Sequence, residues 1–213
     1  GDGDGARQGE DGEDEEFRTE AINVIHDEVE RLAALVDNLL NITKIESGSV
    51  RIEKKRTRLK DFVEDAYNNL AARGKVNDID CILDLPESLS PVNVDKELLR
   101  IAVNNLLVNA IKYSDAGKKV WLTVSEDDDC IRISIRDEGI GISEEDQSKI
   151  FDRFYRASDE ATGNRSGHGL GLTLARDIVE MHRGHLTLTS ELGKGSEFVI
   201  ELFKEAGMVR QAI

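Results

Sequence analysis

The stretch Asn105–Tyr113, reading NLLVNAIKY, constrains this chain more than any other. Leu106, Leu107, Ala110 and Ile111 recur at helical spacing and need an apolar surface behind them, whereas Asn105, Asn109 and Lys112 fall on one polar stripe. A helix of this kind has to lie on a core and still present polar groups. An asparagine carbonyl can ligate a hard cation and a lysine can meet a phosphate, so the stripe suits a nucleotide carrying Mg²⁺. The competing reading is a solvated helix face, because short motifs often mislead.

Two glycine clusters follow, DEGIGI at Asp137–Ile142 and GHGLGL at Gly167–Leu172. The first ends a strand: Ile131, Ile133 and Ile135 alternate with Arg132, Ser134 and Arg136, which carries Asp137 to the strand's end. Gly139 and Gly141 then let the backbone turn tightly and approach a flat ligand, leaving the Asp137 carboxylate to accept a hydrogen bond from an exocyclic amine. The second cluster opens a helix over Leu170–His182, so the amides near Gly169 and Leu170 would point at an anion at the positive end of the helix dipole. A dinucleotide-binding turn would need a strand directly before its glycines. Here Ser158–Ser166, SDEATGNRS, is polar and without periodicity, and reads as a mobile lid.

In the order NLLVNAIKY, DEGIGI, IFDRFYRAS, GHGLGL and GKGSEF, the chain resembles the ATP-binding domain of sensor histidine kinases over roughly residues 17 to 204. In that family these are the N, G1, F, G2 and G3 boxes of a Bergerat-type nucleotide site, shared more distantly with gyrase and MutL ATPases. The resemblance implies ATP and Mg²⁺ as cofactors, with Asn109 on the metal, Asn105 beside it near the phosphates, and Lys112 and Tyr113 along the triphosphate and ribose. It implies that Asp137 reads the adenine amine, with Gly139, Gly141 and Ile142 lining the ring. Phe151, Phe154 and Tyr155 would anchor the lid and Arg156 approach phosphate. Gly167, His168, Gly169, Leu170, Gly171 and Leu172 would wrap the phosphates, and Gly193, Gly195 and Ser196 would form the last turn. Asn105, Asn109, Lys112 and Arg156 would be the catalytic set.

Departures from the pattern carry information. Val108 stands where many relatives have a glutamate and cannot act as a base, which favours a domain that holds ATP for an acceptor over a self-contained ATPase. His168 stands where threonine or serine is frequent, and a hinge role or simple exposure accounts for it better than chemistry.

A net charge of −15 sets a repulsive field against nucleic acid as a partner, but helix-end amides, Lys112 and Arg156 can still make a locally positive pocket. Much of the excess lies in residues 1–16, an acidic, glycine-containing segment that reads as loop or tail. Cys81 and Cys130 fall in predicted strands without metal-ligand spacing, as buried reduced thiols of a cytoplasmic protein would. No apolar run reaches the roughly 20 residues of a membrane span, although the parent protein can still be membrane-anchored.

A long helix is predicted from about Phe17 to Glu46, with Ile22, Ile25, Val29, Leu32, Val36 and Leu39 at coiled-coil spacing and Leu35, Leu40 and Ile42 widening the stripe. The segment 17–48 resembles the second helix of the dimerisation and phosphoacceptor hairpin of histidine kinases. The first helix, with its HELRTP-like acceptor motif, is nowhere in the chain. His26 followed by Asp27 imitates an acceptor pair, but Arg31 sits where that motif has proline, so no phosphoacceptor is expected here.

The expected architecture is α+β: this helix, then a two-layer α/β sandwich over 49–204 with a mixed sheet covered by helices on one face, then a tail over 205–213. The expected function is the ATP-binding portion of a histidine kinase that transfers the γ-phosphoryl group to a histidine outside this chain. Expected partners are a second copy through the hairpin helix in the parent and a response-regulator receiver domain. The alternative is a regulatory nucleotide-binding module without phosphoryl transfer.

Overall fold

Alternation in three strands produces an apolar sheet face that only a layer of helices can cover. A computed structural model describes residues 7–157 and 167–204; the expected lid over 158–166 and the tail over 205–213 lie outside the described residues. The chain falls into two compact units, Gly1–Thr43 and Lys44–Ile213.

In the second unit, β4 (Lys119–Glu126), β5 (Cys130–Asp137) and β7 (Gly195–Phe203) run side by side. Ile135 stands opposite Leu122 and Phe198, and Ile133 opposite Val124 and Ile200, all of them buried. Each such side chain contributes roughly 1.5–3 kcal/mol on burial. With β2 (Asp80–Asp84) and β6 (His185–Glu191) the strands form a five-stranded sheet in the order β2-β4-β5-β7-β6. β2 pairs parallel with β4 and the remaining pairs are antiparallel, which makes the sheet mixed.

Three helices cover the apolar face: α2 (Leu59–Val76), α3 (Lys96–Lys112) and a later helix, Gly171–Met181, which follows the one-turn α4 (Glu144–Gln147) and is termed α5. They bury Phe62, Val63 and Leu70, then Leu99, Leu106 and Leu107, then Leu174, Ile178 and Val179. The opposite face is polar. There the Arg136 guanidinium lies 4.7 Å from the Trp121 ring, and Arg132 reaches Glu201 at 2.8 Å. The predicted two-layer α/β sandwich is therefore the architecture.

β3 (Val92–Val94) stands apart from the main sheet and pairs antiparallel with β1 (Lys55–Thr57), a three-residue strand that the sequence reading did not include. Lys-Arg-Thr has neither the length nor the alternation to announce a strand.

In the first unit, α1 (Arg7–Glu46) starts at Arg7 rather than near Phe17, so most of the acidic segment expected as loop or tail is helical. Residues 7–46 contain no proline, and once a helix is nucleated each further residue adds a backbone hydrogen bond. Gly9 and Gly12 lower propensity without ending it. On α1, Ile22, Ile25, Val29, Leu32, Val36 and Leu39 are all exposed. The tight turn at Gly48 (φ 64°), whose N–H donates to the Ile45 carbonyl, closes the helix. Among the described residues no helix is long and apolar enough to cross a membrane.

Asp95 caps α3, accepting from Glu97 N and Leu98 N. Its own N–H donates to Nε2 of His182 at 3.0 Å, and His182 Nδ1 lies 2.8 Å from the Ile178 carbonyl. An Nε2 that accepts requires Nδ1 to carry the proton, so this buried imidazole is neutral. Lys54 donates to the His182 carbonyl and Glu53 N–H to the Asp95 carboxylate, so the segment just before β1 is tied to the same junction.

Burial holds the His182 pKa below the ordinary histidine value, with Lys54 adding to the effect against the two hydrogen bonds and Asp95. A depressed value means that the folded state resists protonation. The junction's contribution is thus complete above the unfolded histidine range and lost as pH falls through it. Asp95 titrates below its already acidic ordinary range, outside that window. Thermal unfolding should show the parent losing midpoint between about pH 7 and about pH 5 more steeply than His182→Gln, which cannot gain the proton. Parallel profiles for the two proteins would contradict this.

Candidate functional site

The polar stripe of α3 meets the start of α5, and the end of α3 meets the turn after β5, which is itself packed against the β6–β7 turn. Asn105 Nδ2 donates to the Ile101 carbonyl one helical turn back. Its Oδ1 lies where a Cβ on Gly171 would come within 2.6 Å, so α3 and α5 approach closely because residue 171 has no side chain. Asn109 is half-buried, and its amide hydrogen-bonds to none of the described residues. Lys112 Nζ donates to the Tyr113 hydroxyl at 2.8 Å and sits 4.4 Å from that ring; a Cβ on Gly167 would fall 2.4 Å from the same nitrogen. The first residue of the second glycine cluster is therefore seated over Lys112.

Asp137 ends β5 on the helix-covered face, with Val120 and Ser196 as cross-strand neighbours. Oδ1 accepts from Gly139 N at 2.8 Å and Ser196 N at 3.3 Å, and Oδ2 takes neither bond. Burial pushes the carboxyl up to about 6, against the lowering effect of those two N–H groups. A buried carboxylate with one committed oxygen is suited to receiving a donor from a ligand. Gly139 packs so closely under the Tyr113 carbonyl that a Cβ would lie 2.3 Å from that oxygen, which also accepts from Ile140 N. The Asp137 turn and the end of the Asn-bearing helix are thus one unit. Ile142, half-buried, closes that turn through its N–H to Ser190 Oγ.

The second cluster enters α5 without a side-chain cap at Leu170, which is itself buried, so the first-turn amides of Gly171 and Leu172 have no capping acceptor among the described residues. Gly169 adopts φ 67° and its carbonyl accepts from Phe154 N, which joins the two motifs. Of the two expectations for His168, simple exposure does not hold: the residue is half-buried, and its Nε2 is buried with no hydrogen-bond partner among the described residues.

In the IFDRFYRAS motif the aromatic anchor is Phe151, edge-on to Phe198 with Arg176 stacked on its ring, while its carbonyl accepts from Thr173. The Phe154 ring is 63% exposed, and that residue holds its place through its backbone. Tyr155 turns its hydroxyl onto Asp146 at 2.6 Å, a bond that pushes the phenol up to about 12, and Arg156 is exposed. His26 lies exposed on α1, in the other unit.

Three polar residues missed in the sequence stand out. His182 continues the Leu174, Ile178 stripe, and Ser190 continues the Leu186, Leu188 alternation, so each is a polar residue at an inward position, which was the available signal. Gln147 on α4 had no such mark; its amide bridges the carbonyls of Ile142 and Ser190. Cys81 and Cys130 are free thiols.

The sequence profile of the histidine kinase-, DNA gyrase B-, and HSP90-like ATPase family matches residues 94–206. Sensor histidine kinase WalK of Bacillus subtilis is 31% identical over 91% of this chain and 32% of its own length, so the chain spans about a third of this curated relative. Among solved structures, histidine kinase AdeS of Acinetobacter baumannii superposes with a TM-score of 0.70 at 26% identity, over 86% of this chain and 84% of that one. Full-length ShkA, solved with AMPPNP, gives 0.72 at 25% identity, over 82% of this chain and 36% of its own.

Proposed function

Because the chain belongs to the histidine kinase-, DNA gyrase B-, and HSP90-like ATPase family, we propose that it is the ATP-binding catalytic portion of a sensor histidine kinase. In this reading it transfers the γ-phosphoryl group to a histidine on a helix outside this chain, for relay to a response-regulator receiver domain. The observation that carries the proposal is that one helix, α3, is packed against both the turn of the half-committed buried carboxylate Asp137 and the start of α5, with the Asn109 side chain between them bonded to none of the described residues.

Asp137 accepts the adenine amine through Oδ2, and Gly139, Gly141 and Ile142 form the wall beside the ring. Tyr113 and Lys112 line the ribose and triphosphate. Gly167, His168, Gly169 and the first-turn amides of α5 surround the phosphates, where helix-end N–H groups favour negative charge. Phe154 and Tyr155 hold the end of the IFDRFYRAS motif, and Arg156, exposed there, approaches phosphate when nucleotide is bound. The imidazole nitrogen's electron pair forms a bond to the γ-phosphorus as the bond to the bridging oxygen breaks; ADP leaves with the electrons of the broken P–O bond, and the proton on the other ring nitrogen passes to solvent. Lys112, Arg156 and the α5 amides meet the charge that develops, so the protein's work is positioning and electrostatics.

Asn109, whose side-chain amide bonds to none of the described residues, fits Mg²⁺, and Asn105 stands beside it against Gly171. No trio of His, Cys, Asp or Glu among the described residues would hold a metal by itself. A bound Mg²⁺ would draw most of its ligands from phosphate and water and would neutralise phosphate charge. The exposed stripe of α1 supplies a surface for a second copy in the parent protein.

Calorimetry with ATP, with and without Mg²⁺, tests the site. We expect Asn109→Ala to weaken binding about tenfold in Mg²⁺ and to change it little in a chelator. Transfer of label to an added histidine-bearing helix then distinguishes a kinase from a nucleotide-binding regulator. Absence of nucleotide binding in the parent would refute the proposal.

A further inference from the structure

Asp137 is held by one N–H from the turn after it and one from β7. Its aim therefore depends on how those two segments are spaced. Ser190, at the inward-facing end of β6, stands where they meet. Its Oγ accepts from Ile142 N at 2.9 Å, and it lies 3.0 Å from the Gly195 carbonyl and 3.0 Å from Ser196 Oγ. A serine hydroxyl has one proton and two lone pairs, so these three contacts use its whole capacity.

Neighbouring contacts show how little slack remains. A Cβ on Gly141 would fall 2.0 Å from the Glu191 carbonyl oxygen, and one on Gly195 would fall 2.0 Å from that of Asp137. Gly193 N donates to the Ile140 carbonyl, and Gln147 Nε2 clips the carbonyls of Ile142 and Ser190 together. The 138–142 turn and the 190–196 turn are interlocked, with Ser190 Oγ as the only side-chain hydroxyl among the described residues that bonds both.

We propose that Ser190 is a positioning residue for base recognition: it fixes the turn after β5 against the start of β7, and so holds Asp137 in the orientation that accepts an exocyclic amine. The inference rests on the nucleotide reading above and deepens it, because it assigns adenine selectivity to a residue that does not touch the base. Without the hydroxyl, the Ile142 N–H and the Gly195 carbonyl lose a shared partner and the turn can drift from β7. The phosphate-side groups on α3 and α5 do not share these bonds.

Ser190→Ala, Ser190→Thr and Gln147→Ala should be titrated with ATP and with inosine triphosphate, which carries a ring carbonyl in place of the amine. The expected result is ATP binding about tenfold weaker in Ser190→Ala, with inosine triphosphate binding changed less than about twofold. Ser190→Thr, which keeps the hydroxyl, should recover most of the loss, and Gln147→Ala should show the same base-dependent pattern more weakly. Equal losses for both nucleotides, or no loss for either, overturn the inference while leaving the site intact, provided that Asp137→Asn weakens ATP binding about 100-fold in the same assay. A parent chain that binds neither nucleotide overturns the functional reading and this inference with it. Should Ser190→Ala not fold, Gln147→Ala and Ser190→Thr decide: a loss in the former that ignores the base refutes it.

Discussion

Asp137→Asn is expected to make the nucleotide-free protein more stable and to abolish its recognition of adenine. The Asp137 carboxyl is held near 6 against an ordinary 3.8, chiefly by burial, so at neutral pH the folded protein carries an ion it would release by protonation. Two pKa units correspond to about 3 kcal/mol. The sign follows from linkage: the folded state binds the extra proton between the two values, so stability falls as pH rises through that window and the full cost stands above it. Asparagine cannot ionise, yet its Oδ1 can still accept from Gly139 N and Ser196 N. Chemical denaturation at about pH 7.5 should therefore show a gain approaching 3 kcal/mol, and the gain should shrink to roughly half by about pH 5. The same substitution replaces Oδ2 with an NH₂ donor, which faces the adenine amine as donor to donor. ATP affinity should fall about 100-fold, roughly 3 kcal/mol, and inosine triphosphate, with a carbonyl there, should bind better than ATP. A variant that is less stable at neutral pH, or that keeps its preference for ATP, would show that Asp137 is neither strained nor the base reader.

That strain also explains why parts of the site are legible in sequence and others are not. Period-two alternation through Ile131, Ile133 and Ile135 puts Asp137 on the covered face, and pairing to Val120 and Ser196 keeps it there. Asp95 announces the start of α3 because an N-cap is a local device. The ordered motifs gave the family and its two-layer architecture. What local pattern could not supply were contacts made between distant segments. β1 exists only because β3 lies beside it, and His182 joins two helices whose ends meet only after the sheet has formed. Phe154 and Tyr155 look alike as aromatic anchors, yet a positive φ of 60° at Phe154 turns its ring outward, while Asp146 captures the Tyr155 hydroxyl. Simple exposure does not describe His168, whose Nε2 is buried, and a lone histidine beside glycines gives no periodic signal of burial. The early start of α1 reflects helix propagation, which composition alone does not reveal.

Gly195→Ala and Gly193→Ala should differ sharply although both glycines lie in the same turn at positive φ, 106° and 80°. An alanine at 193 meets nothing within 4 Å, so its cost is the backbone strain of an L-residue there, about 1–2 kcal/mol. At 195 the new Cβ would lie 2.0 Å from the Asp137 carbonyl oxygen and 3.0 Å from the Glu138 Cα. These are backbone atoms of the strand and turn that carry the base reader, and they cannot rotate away as a side-chain tip would. Relief requires β7 to separate from the end of β5, stretching the Ser196 N–H bond to Asp137 that is already 3.3 Å long. Overpacking and strain together should reach about 3 kcal/mol or more. Urea unfolding is expected to rank the parent above Gly193→Ala and Gly193→Ala well above Gly195→Ala. In calorimetry Gly193→Ala should keep ATP binding within about threefold, and Gly195→Ala should lose it, because the spacing that aims the Asp137 carboxylate is gone. Equal stability for the two variants would mean that the turn yields freely, and Asp137 would then have to be held by its N–H bond from Gly139 alone.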